Sequence, residues 1–414
     1  MDENDVLQQA IAQRLGGSDF GKSTELYKFA KIKSLKANVR LENPGVKLID
    51  MGVGEPDKPA DEEIVAVLAR EAAKPENRFY SDNGIAEFQQ AAAAFLERMY
   101  GVTLGDPLEH VLHTIGSKPA LAMLPICFID PGDIALVTVP GYPVMGTYTR
   151  YLGGETYDLP LLKQNDFFPD FSSIPENILK RSKMLYINYP NNPTGKTATN
   201  EFYKRVVEFA HKYGIAVVSD AAYSAITFDG EKPLSFLSID GAQEVSVEIH
   251  SLSKSFNMTG WRLGFVAGSK KIISALATVK DNTDSGQFRA IQKAGTYALN
   301  NMGRIIEDNC ERYSRRFDKL VRALESAGLK AQKPKGTFYC YVEAPKSAAD
   351  GTVFGSAEQC AEYLIKNALI STVPWDDAGA FLRISVTFEA ADEREEDAVL
   401  GEVEQRLIKL GLKY

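Results

Sequence analysis

Lys254 stands among hydroxyl residues in the stretch His250-Ser251-Leu252-Ser253-Lys254-Ser255, and Arg262 follows eight positions later. A lysine held where polarity is low, near other cations, gives up its proton readily and can form a Schiff base with an aldehyde. Ser251, Ser253 and Arg262 can hold a phosphate through charge-assisted hydrogen bonds. Alone, the stretch also reads as a basic surface loop. Two upstream stretches change that balance. Tyr189-Pro190-Asn191-Asn192-Pro193-Thr194-Gly195 follows the apolar run 184–188, and the β-branched run 215–219 ends in Asp220, with Tyr223 three residues on. A carboxylate at such a place can pair with a protonated pyridine nitrogen and turn the ring into an electron sink. Asn192 and Tyr223 can hydrogen-bond a ring oxygen.

These groups need elements to position them. Strand-like runs at 133–139, 184–188, 215–219, 245–250 and 264–268 are interleaved with helical patterns at 85–99, 199–213 and 270–281. That alternation predicts an α/β fold with a mostly parallel sheet and helices on both faces. Ligands in such sheets bind outside the carboxyl ends of the strands, where Asp220 and the Asn192 loop both fall. The turn His113-Thr114-Ile115-Gly116-Ser117-Lys118 leads into another helix. The amides of Ser117 and Lys118 at its start can cradle a phosphate, or simply cap the helix. A strand is also expected over 46–57, ending in the turn Gly52-Val53-Gly54-Glu55-Pro56-Asp57, and a helix over 26–41. A polar connection is expected over 160–183, a long helix over 305–327, and strands over 337–342 and 381–386.

The set N-N-P-T-G, D-A-A-Y and S-L-S-K with Arg262 resembles the fold type I pyridoxal-phosphate (PLP) aminotransferases of the aspartate aminotransferase superfamily. The likeness runs from about Tyr27 to the C-terminus. It implies a large PLP-binding domain with a seven-stranded sheet over 46–295 and a smaller α+β domain over 296–414. Residues 1–45 would form an arm and part of the small domain. It implies PLP bound to Lys254, Asp220 on the ring nitrogen, and Tyr142 stacked on the ring face. Arg383, in Phe381-Leu382-Arg383-Ile384-Ser385-Val386, matches the family arginine that grips the substrate α-carboxylate, with Asn192 beside it. Gly54 would let substrate approach the backbone. Tyr27 stands where relatives place a substrate-gating aromatic, and also suits helix packing. Tyr80 matches a tyrosine that reaches the PLP phosphate of the other subunit, which implies a homodimer with shared sites. The usual Leu-Arg after that motif is replaced by Phe88-Gln89.

Within the superfamily the chain looks most like LL-diaminopimelate aminotransferases, through its G-x-G-E-P-D turn, Tyr142 and the segment Asp284-Ser285-Gly286-Gln287-Phe288. Glu55, Glu76 and Asp284 are candidate acceptors for the distal end of that substrate. Alanine, aspartate or aromatic aminotransferases are the alternative, followed by a C–S lyase or a PLP-binding regulator.

The composition is that of a soluble globular protein: 414 residues, 44% hydrophobic, 25% charged. A net charge of −8 argues against nucleic-acid binding, and with it the regulator. No apolar run approaches the ~20 residues that span a bilayer. The acidic N-terminus does not read as a signal peptide. Cys127, Cys310, Cys340 and Cys360 form no C-x-x-C pair, and His110, His113, His211 and His250 no ligand pattern. They suit a reducing cytoplasm and no metal.

Overall fold

Apolar, β-branched runs that cannot stand alone in water pair into sheets. A computed structural model describes residues 6–22 and 28–414. Its strands are β1 Ile49–Asp50, β2 Val111–Thr114, β3 Ile134–Val139, β4 Glu155–Pro160, β5 Ser182–Asn188, β6 Ala216–Asp220, β7 Ser246–Ser251, β8 Gly264–Gly268, β9 Tyr339–Glu343, β10 Ile370–Ser371, β11 Val373–Trp375 and β12 Phe381–Ser385. Seven form one sheet in the order β2-β8-β7-β6-β5-β3-β4. Only β8 runs against its neighbours; the other pairings are parallel. The sheet is thus mostly parallel, as the alternation of elements implies.

The two sheet faces are both covered. On β8, Val266 packs with Leu112, Val218, Val247 and Ile249 against the helices Ser117–Phe128 and Lys270–Lys280. Its neighbours Phe265 and Ala267 point the other way, toward the helices Glu62–Ala72, Ala86–Tyr100 and Arg289–Asn300. This is the period-2 alternation of a strand buried on both sides.

A second core surrounds the three-stranded antiparallel sheet β11-β12-β9 and the two-stranded parallel pair of β1 and β10. It gathers Tyr313, Phe317, Phe338, Leu382 and Val403, and takes in Tyr223 from beside the large sheet. The helices Met302–Ser326 and Glu393–Leu410 frame it.

One sequence expectation needs correction. The strand expected over 46–57 is only Ile49–Asp50. Beyond it, the carbonyls of Gly52 and Gly54 turn to side chains, accepting from Arg383 and Lys254. The connection over 160–183 is anchored by aromatics: Phe168 stacks on Phe202 at 4.4 Å and Phe171 on Phe209 at 4.6 Å.

Arg316 is the most demanding buried group. It is fully buried and donates to Glu396 Oε1 (2.8 Å), Asp57 Oδ2 (3.0 Å), and the carbonyls of Val386 (2.8 Å) and Phe388 (3.0 Å). Breaking one side of such a pair strands a buried charge. We expect Arg316→Ala to cost about 3–5 kcal/mol. The reading is the urea midpoint at unchanged slope; a loss below about 1 kcal/mol would show that the network carries no net stability.

Candidate active site

Strands β2, β7, β6, β5 and β3 all end at one edge of the large sheet, because β2 runs antiparallel to β8 and β8 antiparallel to β7. The same reversal lets Arg262, just before β8, return to that edge. The sequence-predicted residues therefore converge: Ser117 after β2, Tyr142 after β3, Asn192 after β5, Asp220 ending β6, and Ser251 and Lys254 at the end of β7.

Lys254 lies in the short helix Leu252–Ser255, capped by Ser251, whose hydroxyl accepts from the Ser253 amide at 3.2 Å. Its Nζ donates to the Gly54 carbonyl at 2.6 Å. Burial pushes its pKa down to about 8; the Arg262 and Arg383 charges push the same way, against Glu55 and Asp220. The result is an amine that is substantially neutral near pH 8.

Asp220 is buried at 5% exposure, and burial raises its pKa to about 6. The Tyr186 hydroxyl donates to its Oδ2 at 3.0 Å and the Ala222 amide to its Oδ1 at 3.2 Å, and both favour the charged form. Tyr223 and Tyr339 share a hydrogen bond between hydroxyls at 3.2 Å.

Arg383, on β12, is also buried. It donates from Nη1 to Asn192 Oδ1 at 2.9 Å and from Nη2 to the Gly52 carbonyl at 3.0 Å. Its guanidinium stacks over Tyr339, 4.1 Å from the ring centre, and its buried Nε has no hydrogen-bond partner. A methyl group at Gly54 would stand 3.0 Å from Tyr339 Oη and 3.9 Å from Arg383 Nη2, so any side chain there would press the Tyr339 hydroxyl out of place.

Arg262 donates to the Thr259 carbonyl at 2.8 Å and toward Ser253 Oγ at 3.4 Å. Its guanidinium lies against Gly116, the residue before the helix Ser117–Phe128; a Cβ there would sit 2.3 Å from Arg262 Nη2. The free amides of a helix start, a hydroxyl pair and an arginine thus face one spot, an arrangement suited to phosphate. Tyr142 is partly exposed beside Lys118, whose Nζ lies 6.0 Å from its ring centre.

Tyr80 is not gathered into this cluster: it is 78% exposed, with its carbonyl accepting from Arg289. Tyr27 lies outside the described residues. Of the suggested distal acceptors, Glu55 acts electrostatically on Lys254, whereas Asp284 is bound to Lys280 at 2.5 Å; Glu76 sits in the turn Pro75–Arg78. Sequence reasoning missed Tyr186 and Tyr339. Alternation along β5 could have found Tyr186, which shares a face with Asn188, the residue paired with Asp220. No local signal marks Tyr339.

Among the described residues no helix is long and apolar enough to cross a membrane, and no group of three or more His, Cys, Asp or Glu could hold a metal.

The family model for aminotransferase class I and II matches residues 46–396. A Methanocaldococcus jannaschii protein named LL-diaminopimelate aminotransferase is 54% identical over 99% of both chains. One of the same name from Methanococcus maripaludis is 51% identical over 98% of both. The substrate-bound BacF structure from Bacillus subtilis superposes with a TM-score of 0.86 at 34% identity, covering 96% of this chain and 98% of that one. Lys254, Asp220, Asn192, Arg262 and Arg383 thus meet at one sheet edge in a chain that belongs to the class I and II aminotransferases, and this chain is a transaminase.

Proposed function

We propose that this chain is an LL-diaminopimelate aminotransferase that holds pyridoxal phosphate and works as a cytoplasmic homodimer. The substrate reading is carried by the 54% identity, over 99% of each chain, to a relative of that name. The cofactor reading is supported by the fit of the residues. Lys254 is a partly buried amine of lowered pKa, Asp220 a buried carboxylate for the ring nitrogen, and Asn192 and Tyr223 are donors for the ring oxygen. Ser117, Lys118, Ser251 and Arg262 would hold the cofactor phosphate, and Tyr142 would stack on the ring. The exposed Tyr80 would complete the phosphate site of the other subunit. The large domain is taken as 46–295 and the small one as 296–414.

When bound, the cofactor supplies an aldehyde that exchanges amino groups and a ring that accepts the electrons left at the substrate α-carbon. The protein does the rest. Arg383 and Asn192 grip the α-carboxylate, a planar two-pronged contact that orients the α-hydrogen. Lys254, about half neutral near pH 8, takes the α-proton as a general base. Asp220 keeps negative charge opposite the ring nitrogen. The Tyr223 and Tyr339 hydroxyls stand beside Arg383 and close the site on that flank. Glutamate is the expected amino donor and tetrahydrodipicolinate the acceptor.

An absorbance screen of the purified protein tests this reading. LL-diaminopimelate and L-glutamate should each bleach the cofactor band, and 2-oxoglutarate should restore it. L-alanine, L-aspartate and L-phenylalanine should leave it in place. Bleaching by alanine or phenylalanine instead would discard diaminopimelate but keep a transaminase.

A further inference from the structure

Arg262 is held in an unusual backbone conformation, with φ at +55°, in the left-handed region that a residue with a side chain adopts only when its surroundings impose it. Gln287 braces the chain on both sides of this residue. Its Nε2 donates to the carbonyls of both Trp261 (2.9 Å) and Arg262 (2.7 Å). With both amide hydrogens committed to carbonyls, Oε1 must be the acceptor toward His113 Nε2 at 3.0 Å, so that nitrogen carries the hydrogen. His113 is fully buried, its Nδ1 has no partner, and burial pushes its pKa down to about 4, so the ring stays neutral in this tautomer at neutral pH. Both amide hydrogens of Gln287 are therefore used on the chain around Arg262, and its oxygen ties that chain to His113.

Gln287 is itself anchored. Its carbonyl accepts from Ser81 Oγ (3.0 Å) and Gln292 Nε2 (2.8 Å). The preceding Gly286 runs so close to the chain that a Cβ there would stand 2.8 Å from the Asp82 amide. Fully buried Lys280 donates to the Asp82 carbonyl and to Asp284, each at 2.5 Å. Through its carboxamide and its backbone carbonyl, Gln287 thus links the end of β2, the chain just before β8 and the strip carrying Tyr80 and Ser81.

We infer that Gln287 is a positioning residue for the cofactor phosphate: it fixes the Arg262 backbone so that the guanidinium meets the helix start at Gly116. This rests on the reading of Arg262 as a phosphate ligand given above. Gln287 touches neither substrate nor ring chemistry, so its loss should be felt through the phosphate alone.

Pyridoxal, which lacks the phosphate, separates the possibilities. The full chain, freed of cofactor with hydroxylamine, is titrated with pyridoxal phosphate and with pyridoxal for wild type, Gln287→Leu, Gln287→Glu and Arg262→Ala. Gln287→Leu and Gln287→Glu should weaken pyridoxal phosphate about tenfold or more, from the two lost hydrogen bonds. They should leave pyridoxal within about twofold of wild type, which also certifies that the variants fold. In an Arg262→Ala background, Gln287→Leu should add little. Equal weakening of both ligands in both Gln287 variants, or no weakening of either, would overturn the inference, as would a full additional loss in the double variant. If Arg262→Ala alone fails to discriminate the two ligands, the phosphate reading falls, and the inference with it.

Discussion

Lys254→Ala should lower turnover by at least about 10⁴-fold, since it removes both the covalent anchor and the general base. The fold should survive. The helix Leu252–Ser255 is capped through Ser251, not through the lysine side chain, and a buried amine whose burial disfavours its charge gives little stability back. Stopped-flow absorbance of the half-reaction with LL-diaminopimelate is the measurement, and a small primary amine added in excess should restore part of the proton transfer. Turnover within tenfold of wild type would sink the assignment. The same lysine predicts a pH signature in the wild-type chain. Only the neutral amine attacks an aldehyde, so recapture of pyridoxal phosphate by the stripped protein should accelerate with rising pH and level off above about pH 8, the value to which burial lowers this lysine. An ordinary lysine, at 10.5, would still be accelerating there.

Asp220→Ala should slow α-proton removal by about 10²–10³-fold, the cost typical of deleting one preorganised electrostatic partner. Binding of the cofactor should persist, because Lys254 and the phosphate end remain. Exchange of the α-hydrogen of glutamate with deuterated solvent isolates this step, and an unchanged exchange rate would refute the role. Asp220 can carry this duty despite its burial because two donors are aimed at it. Without the Tyr186 hydroxyl and the Ala222 amide, burial alone would push its proton affinity further up.

What the sequence makes legible here is local. Asp220 ends a strand, and Lys254, Asn192 and Arg262 lie within a few residues of one; strand ends are visible as apolar runs meeting polar residues. The geometry of a parallel sheet then brings them together without further information. Arg383 was legible only through its likeness to a family motif, since a strand arginine carries no sign of where it points. Tyr339 was not legible: it meets Tyr223 across 116 residues of chain. Gln287 stands out in the sequence only as part of the family-like segment Asp284–Phe288, which lies between the helices Lys270–Lys280 and Arg289–Asn300. Its grip on Trp261 and Arg262 depends on a return of the chain that local pattern does not encode. The short β1 has the same origin, because glycine carbonyls there serve distant side chains instead of a ladder.

The Arg316 cluster has a consequence for the order in which the molecule can be made. Every strand of the large sheet lies between residues 111 and 268, so that sheet can pair early during synthesis. The turn that delivers the Gly54 carbonyl to Lys254 is pinned at Asp57 by Arg316, and Arg316 is satisfied only once Phe388 and Glu396 have arrived. A nascent or truncated chain lacking the terminal helix Glu393–Leu410 would own every residue of the reactive cluster and still lack Glu396, the second carboxylate that satisfies the arginine pinning Asp57. The last partner of that buried arginine is thus delivered by a helix that contributes no group to the chemistry.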